Sequence, residues 1–190
     1  MSVNTILVIV FAIFYSVAEG LLVLRDRKNA RGSTKIDKMT RLFNFFSTEG
    51  ALLSALFIML SSFNFDNNSL LFPTIIGTLL ALTGFVLRHV SIHILGKYFR
   101  TTVEIDEDQP IIQTGPYRFV RHPSYSGIIL FFTGYGVLSQ NWLCLASCII
   151  LPIAALSYRI KVEERALVDE LGSKYVDYIA KTKKLIPFIW

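Results

Sequence analysis

The chain is predicted to be all-α: a polytopic membrane bundle of five transmembrane helices, with a long cytosolic loop between the third and fourth and an amphipathic helix at the C-terminus. Three observations predict it. Apolar residues make up 53% of the 190 positions and charged ones only 17%, with a mean hydropathy of +0.51. Five long apolar runs are separated by polar segments. All 19 lysines and arginines fall in three clusters, which five alternating crossings would bring to one side. Five crossings of roughly 20 residues need about 100 apolar-rich positions, close to what the composition supplies. The low charge and 13% aromatic content exclude a disordered chain. Two cysteines are too few for a disulfide-stapled miniprotein or a four-ligand zinc site.

The first run, 3–24, is interrupted only by Glu19 and a few small polar residues. It has no basic leader and ends in Leu-Arg-Asp-Arg-Lys, so it reads as a span and not as a cleaved signal peptide. The second, 45–63, carries Glu49 near its start. The third, 70–87, follows a polar turn and places Pro73 in its first helical turn, where a missing N–H is tolerated. The fourth, 126–138, is too short for a full span, so its helix is expected to begin before Ser126 or to sit partly re-entrant. Only Ser139-Gln140-Asn141 separates it from the fifth run, 142–158, which demands a tight helical hairpin.

Seven basic residues lie between Arg25 and Arg41, five between Arg88 and Arg121, and seven between Arg159 and Lys184. The two remaining connections, 64–69 and 139–141, hold none. That is the positive-inside pattern, with the N-terminus out and the C-terminus cytoplasmic. The net charge of +5 is thus a topology signal, and no nucleic-acid partner is expected. The chain reads as one domain (1–190), with three spans in 1–94 and a loop, hairpin and C-terminal helix in 95–190.

Two cytoplasmic segments have the character of a site. Residues 95–123 hold Gly96, the acidic stretch 104–108, Pro110 and Gly115-Pro116-Tyr117, and lead into Arg121-His122-Pro123-Ser124-Tyr125. Loops of this length are usually functional. Beyond the fifth run, Leu167, Leu171, Tyr175 and Tyr178 share one face of a helix expected to run through 166–184 along a surface. Arg159 and Glu163, four residues apart, are neighbours on one helix face. They suit either a solvated salt bridge of a few tenths of a kcal/mol or a site holding a zwitterion beside an anionic substrate. His122-Pro123 suits a plain loop-to-helix junction, or a helix start whose free N–H groups receive a ligand's oxygens.

The block Arg121-His122-Pro123-Ser124-Tyr125-Ser126-Gly127, preceded by Gly115-Pro116-Tyr117 and followed by Glu163-Glu164 and 171–178, resembles the isoprenylcysteine carboxyl methyltransferases, a family within a superfamily that includes the phospholipid N-methyltransferases. The resemblance runs from about residue 95 to the C-terminus. It implies an integral membrane enzyme using S-adenosylmethionine, with the cofactor enclosed by the long loop and the C-terminal helix. Cofactor contacts would come from Gln109, Pro110, Ile111, Ile112, Tyr117, His122, Pro123, Ser124, Tyr125 and Glu163. His122 and Arg159 would be the catalytic residues, Arg159 facing the substrate carboxylate. The chain departs from eukaryotic relatives in carrying Gln109 where many have His, and Thr102 or Val103 where they have a polar contact residue. In a prokaryote the resemblance would imply the plasma membrane, and in a eukaryote the endoplasmic reticulum.

The chemistry is consistent with these residues. Glu163 could accept from the cofactor's ammonium. A carboxylate acceptor is ionised at neutral pH and needs no general base, whereas an amine would require one. A lipophilic acceptor would enter from the membrane, its charged end held by Arg159 and its tail among the helices and membrane lipids. The alternatives are methylation of another membrane lipid, as by the phospholipid N-methyltransferases, and a sterol-reductase-like oxidoreductase. His89 and His93 have metal-ligand spacing, but no third ligand stands near them, so no metal is expected. Cys144 and Cys148 read as packing residues. Gly134 and Gly136 read as points of close helix contact. Glu19 is a costly group to place in a membrane and could line a substrate cavity.

Overall fold

A computed structural model describes residues 3–27, 71–101 and 109–186. They form five helices: α1 (Val3–Arg27), α2 (Leu71–Leu95), α3 (Pro123–Leu138), α4 (Trp142–Leu171) and α5 (Ser173–Lys181). Two short 3-10 turns, Gly96–Tyr98 and Gly115–Arg118, lie between α2 and α3. The second apolar run, Glu49 and the acidic stretch of the long loop lie outside the described residues. Three of the described helices have stretches long and apolar enough to cross a membrane, Val3–Arg25, Leu71–Tyr98 and Trp142–Leu171.

The fourth run does begin before Ser126, because Pro123 starts α3. With 16 residues α3 is about 24 Å long, still short of a hydrocarbon layer of about 30 Å. The hairpin to α4 is as tight as expected. Asn141 caps α4, its side chain accepting from the backbone N–H groups of Leu143 (3.0 Å) and Cys144 (3.1 Å). The 30 residues of α4 reach about 45 Å, so its charged C-terminal part, from Arg159 onward, projects past any apolar layer that Trp142 to Tyr158 could cross.

α2 and α3 pack antiparallel, with glycines at the seam. A Cβ added at Gly77 would lie 2.8 Å from the carbonyl oxygen of Gly134, and one at Gly127 would lie 2.7 Å from that of Gly84. Such backbone proximity is how helices associate where solvent cannot drive apolar burial. Gly136 plays the same part toward α4, where a Cβ would stand 2.8 Å from Cα of Leu145. α1 runs parallel to α2: Asn4 accepts from Thr74 at 2.7 Å, and Glu19 is bound by Arg88. Tyr15 of α1 stacks on Phe131 of α3, with centroids 4.3 Å apart. Val8, Phe132, Tyr135, Cys144 and Cys148 complete this core, so both cysteines do serve packing. The outer faces are apolar as well. Ile6, Ile13, Val17 and Leu21 of α1 and Leu71, Phe72, Ile75 and Leu79 of α2 are exposed, as lipid-facing positions would be.

One expectation needs correction. The C-terminal amphipathic helix does not run unbroken through 166–184. Gly172, at φ +59°, ends α4 and turns the chain into α5, a conformation that residues with a Cβ adopt at a cost. Glu19, a costly charge to place in a membrane, is paired: the Arg88 guanidinium holds its carboxylate with two donors.

Candidate active site

The C-terminal ends of α2 and α4, the start of α3, and α5 meet at one end of the bundle around an open cleft. Local chemistry sets the long loop's path to it. Gly115, at φ +58°, turns the chain into Gly115–Arg118, and a Cβ there would meet Cδ1 of Ile94 at 2.7 Å. Tyr117 is thereby buried, its backbone carbonyl accepting from the Tyr178 hydroxyl at 2.7 Å. Val120 then pairs with Lys183 in a short parallel bridge that leads into His122 and Pro123. Pro123 occupies the first position of α3, where it has no N–H to lose.

Charged groups converge behind this turn. Glu163 Oε2 accepts from the Tyr125 hydroxyl at 2.5 Å, and the hydroxyl oxygen accepts from Arg159 Nε at 2.6 Å. Arg159 Nη2 also donates to the Thr101 carbonyl at 2.9 Å. The His122 ring stacks on Tyr125 with centroids 5.4 Å apart and planes within 5°. Its Nδ1 lies 4.0 Å from Glu163 Oε1, and its Nε2 lies 3.4 Å from Glu164 Oε1. Burial raises the Tyr117 and Tyr175 hydroxyls well above the ordinary tyrosine range, and the Glu163 charge adds to both shifts. Burial pushes Tyr178 up to about 12, with Arg121 opposing. All three therefore stay neutral at working pH, Tyr178 donating to the loop carbonyl of Tyr117.

Gln109, Pro110, Ile111, Ile112, Tyr117, His122, Ser124, Tyr125 and Glu163 all line this cleft. Two expected residues do not. Pro123 is fully buried at the helix start, and Arg159 lies behind Tyr125, 5% exposed, with donors committed to Tyr125 and Thr101. The amphipathic face survives the break at Gly172, since Leu167, Leu171, Tyr175 and Tyr178 all face the cleft. The sequence reading missed Leu95, Tyr98, Phe99, Arg100 and Arg121 among the lining residues. It also missed the last described segment, 182–185, which holds the loop, and the pairing of Glu19 with Arg88. No spacing rule links groups 69 positions apart. His89, which had looked like half of a metal pair, stacks on Phe85, its Nδ1 3.0 Å from that residue's carbonyl.

Residues 76–169 match the isoprenylcysteine carboxyl methyltransferase (ICMT) family model. The chain is 34% identical over 118 residues to the protein-S-isoprenylcysteine O-methyltransferase of Saccharomyces cerevisiae, covering 61% of this chain and 49% of that protein. It is 32% identical over 126 residues to the corresponding Xenopus laevis protein, covering 65% and 44%. The solved structure of the eukaryotic intramembrane Ras methyltransferase ICMT matches with a TM-score of 0.64 at 25% identity, over 74% of this chain and 52% of that one.

Over about half of its length this chain is similar to the isoprenylcysteine carboxyl methyltransferases. It spans about half the length of the first curated ICMT relatives that it matches. The matched segment contains α3, α4 up to Asp169 and the greater part of α2, together with the loop and the Arg121–Tyr125 turn. α1 and Glu19 lie outside it.

Proposed function

We propose that this chain is an S-adenosylmethionine-dependent methyltransferase acting on the carboxylate of a lipophilic, isoprenylcysteine-like acceptor at the cytosolic membrane face. The observation that carries this reading is the convergence of 109–112, Tyr117, His122, Tyr125 and Glu163 on one cleft at the charged end of an apolar bundle. These groups fit the cofactor. Glu163 offers a carboxylate to an ammonium, and half-buried Arg100 offers a guanidinium to a carboxylate. Tyr117, Tyr175 and Tyr178 with Ile111 and Leu167 give an apolar, aromatic wall for the adenosine. When bound, the cofactor supplies a methyl group on a positively charged sulfur.

The chain's own task is positioning, which can lower a barrier by up to roughly 7–11 kcal/mol. His122, stacked on Tyr125, shapes the cleft, and Tyr125 orients Glu163 through its hydroxyl. Arg159, expected to face the acceptor carboxylate, fits better as the residue that holds Tyr125 and the loop at Thr101. The parallel course of α1 and α2 and the antiparallel α3 support placing all basic clusters on one side, hence a cytosolic cleft reached by a cytosolic cofactor. Detergent-purified protein is expected to bind S-adenosylmethionine or its demethylated product and to methylate farnesylcysteine analogues. Glu163→Gln is expected to weaken cofactor binding at least tenfold, a lost charge-assisted hydrogen bond being worth about 1.5–3 kcal/mol. Methylation of a phosphatidylethanolamine headgroup in place of farnesylcysteine would shift the acceptor class. Tight binding of a nicotinamide dinucleotide with none of S-adenosylmethionine would overturn the enzyme class.

A further inference from the structure

Glu164 follows Glu163 in α4 but points away from the cleft, into a cluster of cationic groups. Its Oε1 accepts from Arg121 Nε at 2.8 Å and lies 3.4 Å from His122 Nε2, while its Oε2 stands 3.7 Å from Lys184 Nζ. The side chain of Arg121 is 5% exposed and that of Glu164 14%, so water compensates little. Arg121 also donates through Nη1 to the Thr182 carbonyl at 2.5 Å. The backbone of 182–185 is bound to the same turn: Lys183 N donates to Phe119 O at 3.2 Å, Arg121 N to Lys183 O at 2.8 Å, and His122 N to Lys184 O at 3.0 Å. Ser126 Oγ closes the run on the Leu185 carbonyl at 2.5 Å.

Residues 182–185 therefore form a strap across the start of α3, and Glu164 joins the strap's Lys184 to the turn's Arg121 and His122. The imidazole is flanked by two carboxylates, Glu163 on the cleft side and Glu164 on the strap side. Without the charge of Glu164, Arg121 loses this counter-ion and, among the described residues, Glu163 is left as the one carboxylate drawing on His122. We propose that Glu164 is a positioning residue for cofactor binding, clasping the 182–185 strap to the Arg121-His122 turn and so setting His122, Tyr125 and Tyr178 around the cleft. This role rests on the function proposed above.

The test is calorimetric titration of S-adenosylmethionine into the full-length protein in detergent, alongside tryptic cleavage after Lys183 and Lys184 without cofactor. E164Q is expected to raise the cofactor's Kd about 5–20-fold, to leave the acceptor's KM within about twofold of wild type, and to speed cleavage of the strap severalfold. E164D should recover part of the affinity, because the charge returns on a shorter arm. S126A removes one strap bond and no charge, and is expected to weaken cofactor binding about twofold to fivefold; it carries the test where E164Q does not fold. In the E164Q/S126A double variant the two effects should fall short of multiplying, since both act through one strap. Binding by E164Q within twofold of a wild type that itself binds the cofactor would overturn this role alone. Failure of the wild type to bind would overturn the function and this role together.

Discussion

Arg88 and Glu19 join α1 to α2 at depth, and separating them has a calculable consequence. The two side chains are 8% and 22% exposed and make a two-donor contact. Removing one partner of such a pair leaves the other charge buried, which typically costs about 3–5 kcal/mol. For a chain of this length that corresponds to a fall of about 6–20 °C in Tm. The two single variants should differ. Glu19→Gln strands a guanidinium, which cannot lose its charge in a protein, whereas Arg88→Met strands a carboxyl, which can neutralise by taking up a proton. Glu19→Gln is therefore expected to be the worse variant, and lowering the pH should partly restore Arg88→Met alone. The Glu19→Gln/Arg88→Met double variant should recover most of the loss, because no charge is left unpaired. Thermal unfolding of the four proteins in one detergent, at neutral and mildly acidic pH, measures this directly. A double variant no more stable than Glu19→Gln, or single variants within about 1 °C of wild type, would refute the reasoning.

Other perturbations follow from the same geometry. Tyr125→Phe deletes the hydroxyl that joins Arg159 to Glu163, leaving a buried arginine donor unmet at roughly 1–3 kcal/mol; cofactor Kd measured by titration should rise about tenfold. Arg159→Lys keeps the charge but loses the geometry that serves Tyr125 and Thr101 at once, so steady-state kinetics should show a lower kcat with the acceptor's KM nearly unchanged. A rise confined to the acceptor's KM would return Arg159 to the substrate. Gly127→Ala places a methyl 2.7 Å from backbone atoms of α2 and should destabilise the fold by about 1–3 kcal/mol, read by thermal unfolding.

Hydropathy and charge placement determined much by themselves. The apolar runs predict α1, α2 and α4 because a backbone in lipid must satisfy its hydrogen bonds within each helix. The short polar link 139–141 dictates a hairpin, and Asn141 supplies its cap. The Arg121–Tyr125 block and the Glu163-Glu164 pair were legible as a motif because their residue types stand at close spacing. What needed the tertiary structure is every relation across long separations. Periodicity assigns a residue to a helix face but does not say which helix lies against it. Arg88 therefore looked like a helix end and Glu19 like a lone charge until α1 was laid along α2. Arg159 and Glu163 share a face by spacing, yet only the approach of Tyr125 from another helix decided that one turns to the cleft and the other is committed behind it. Nothing in the composition of 182–185 marks a strap: its partners are mainly backbone groups, which carry no signature in an amino-acid sequence.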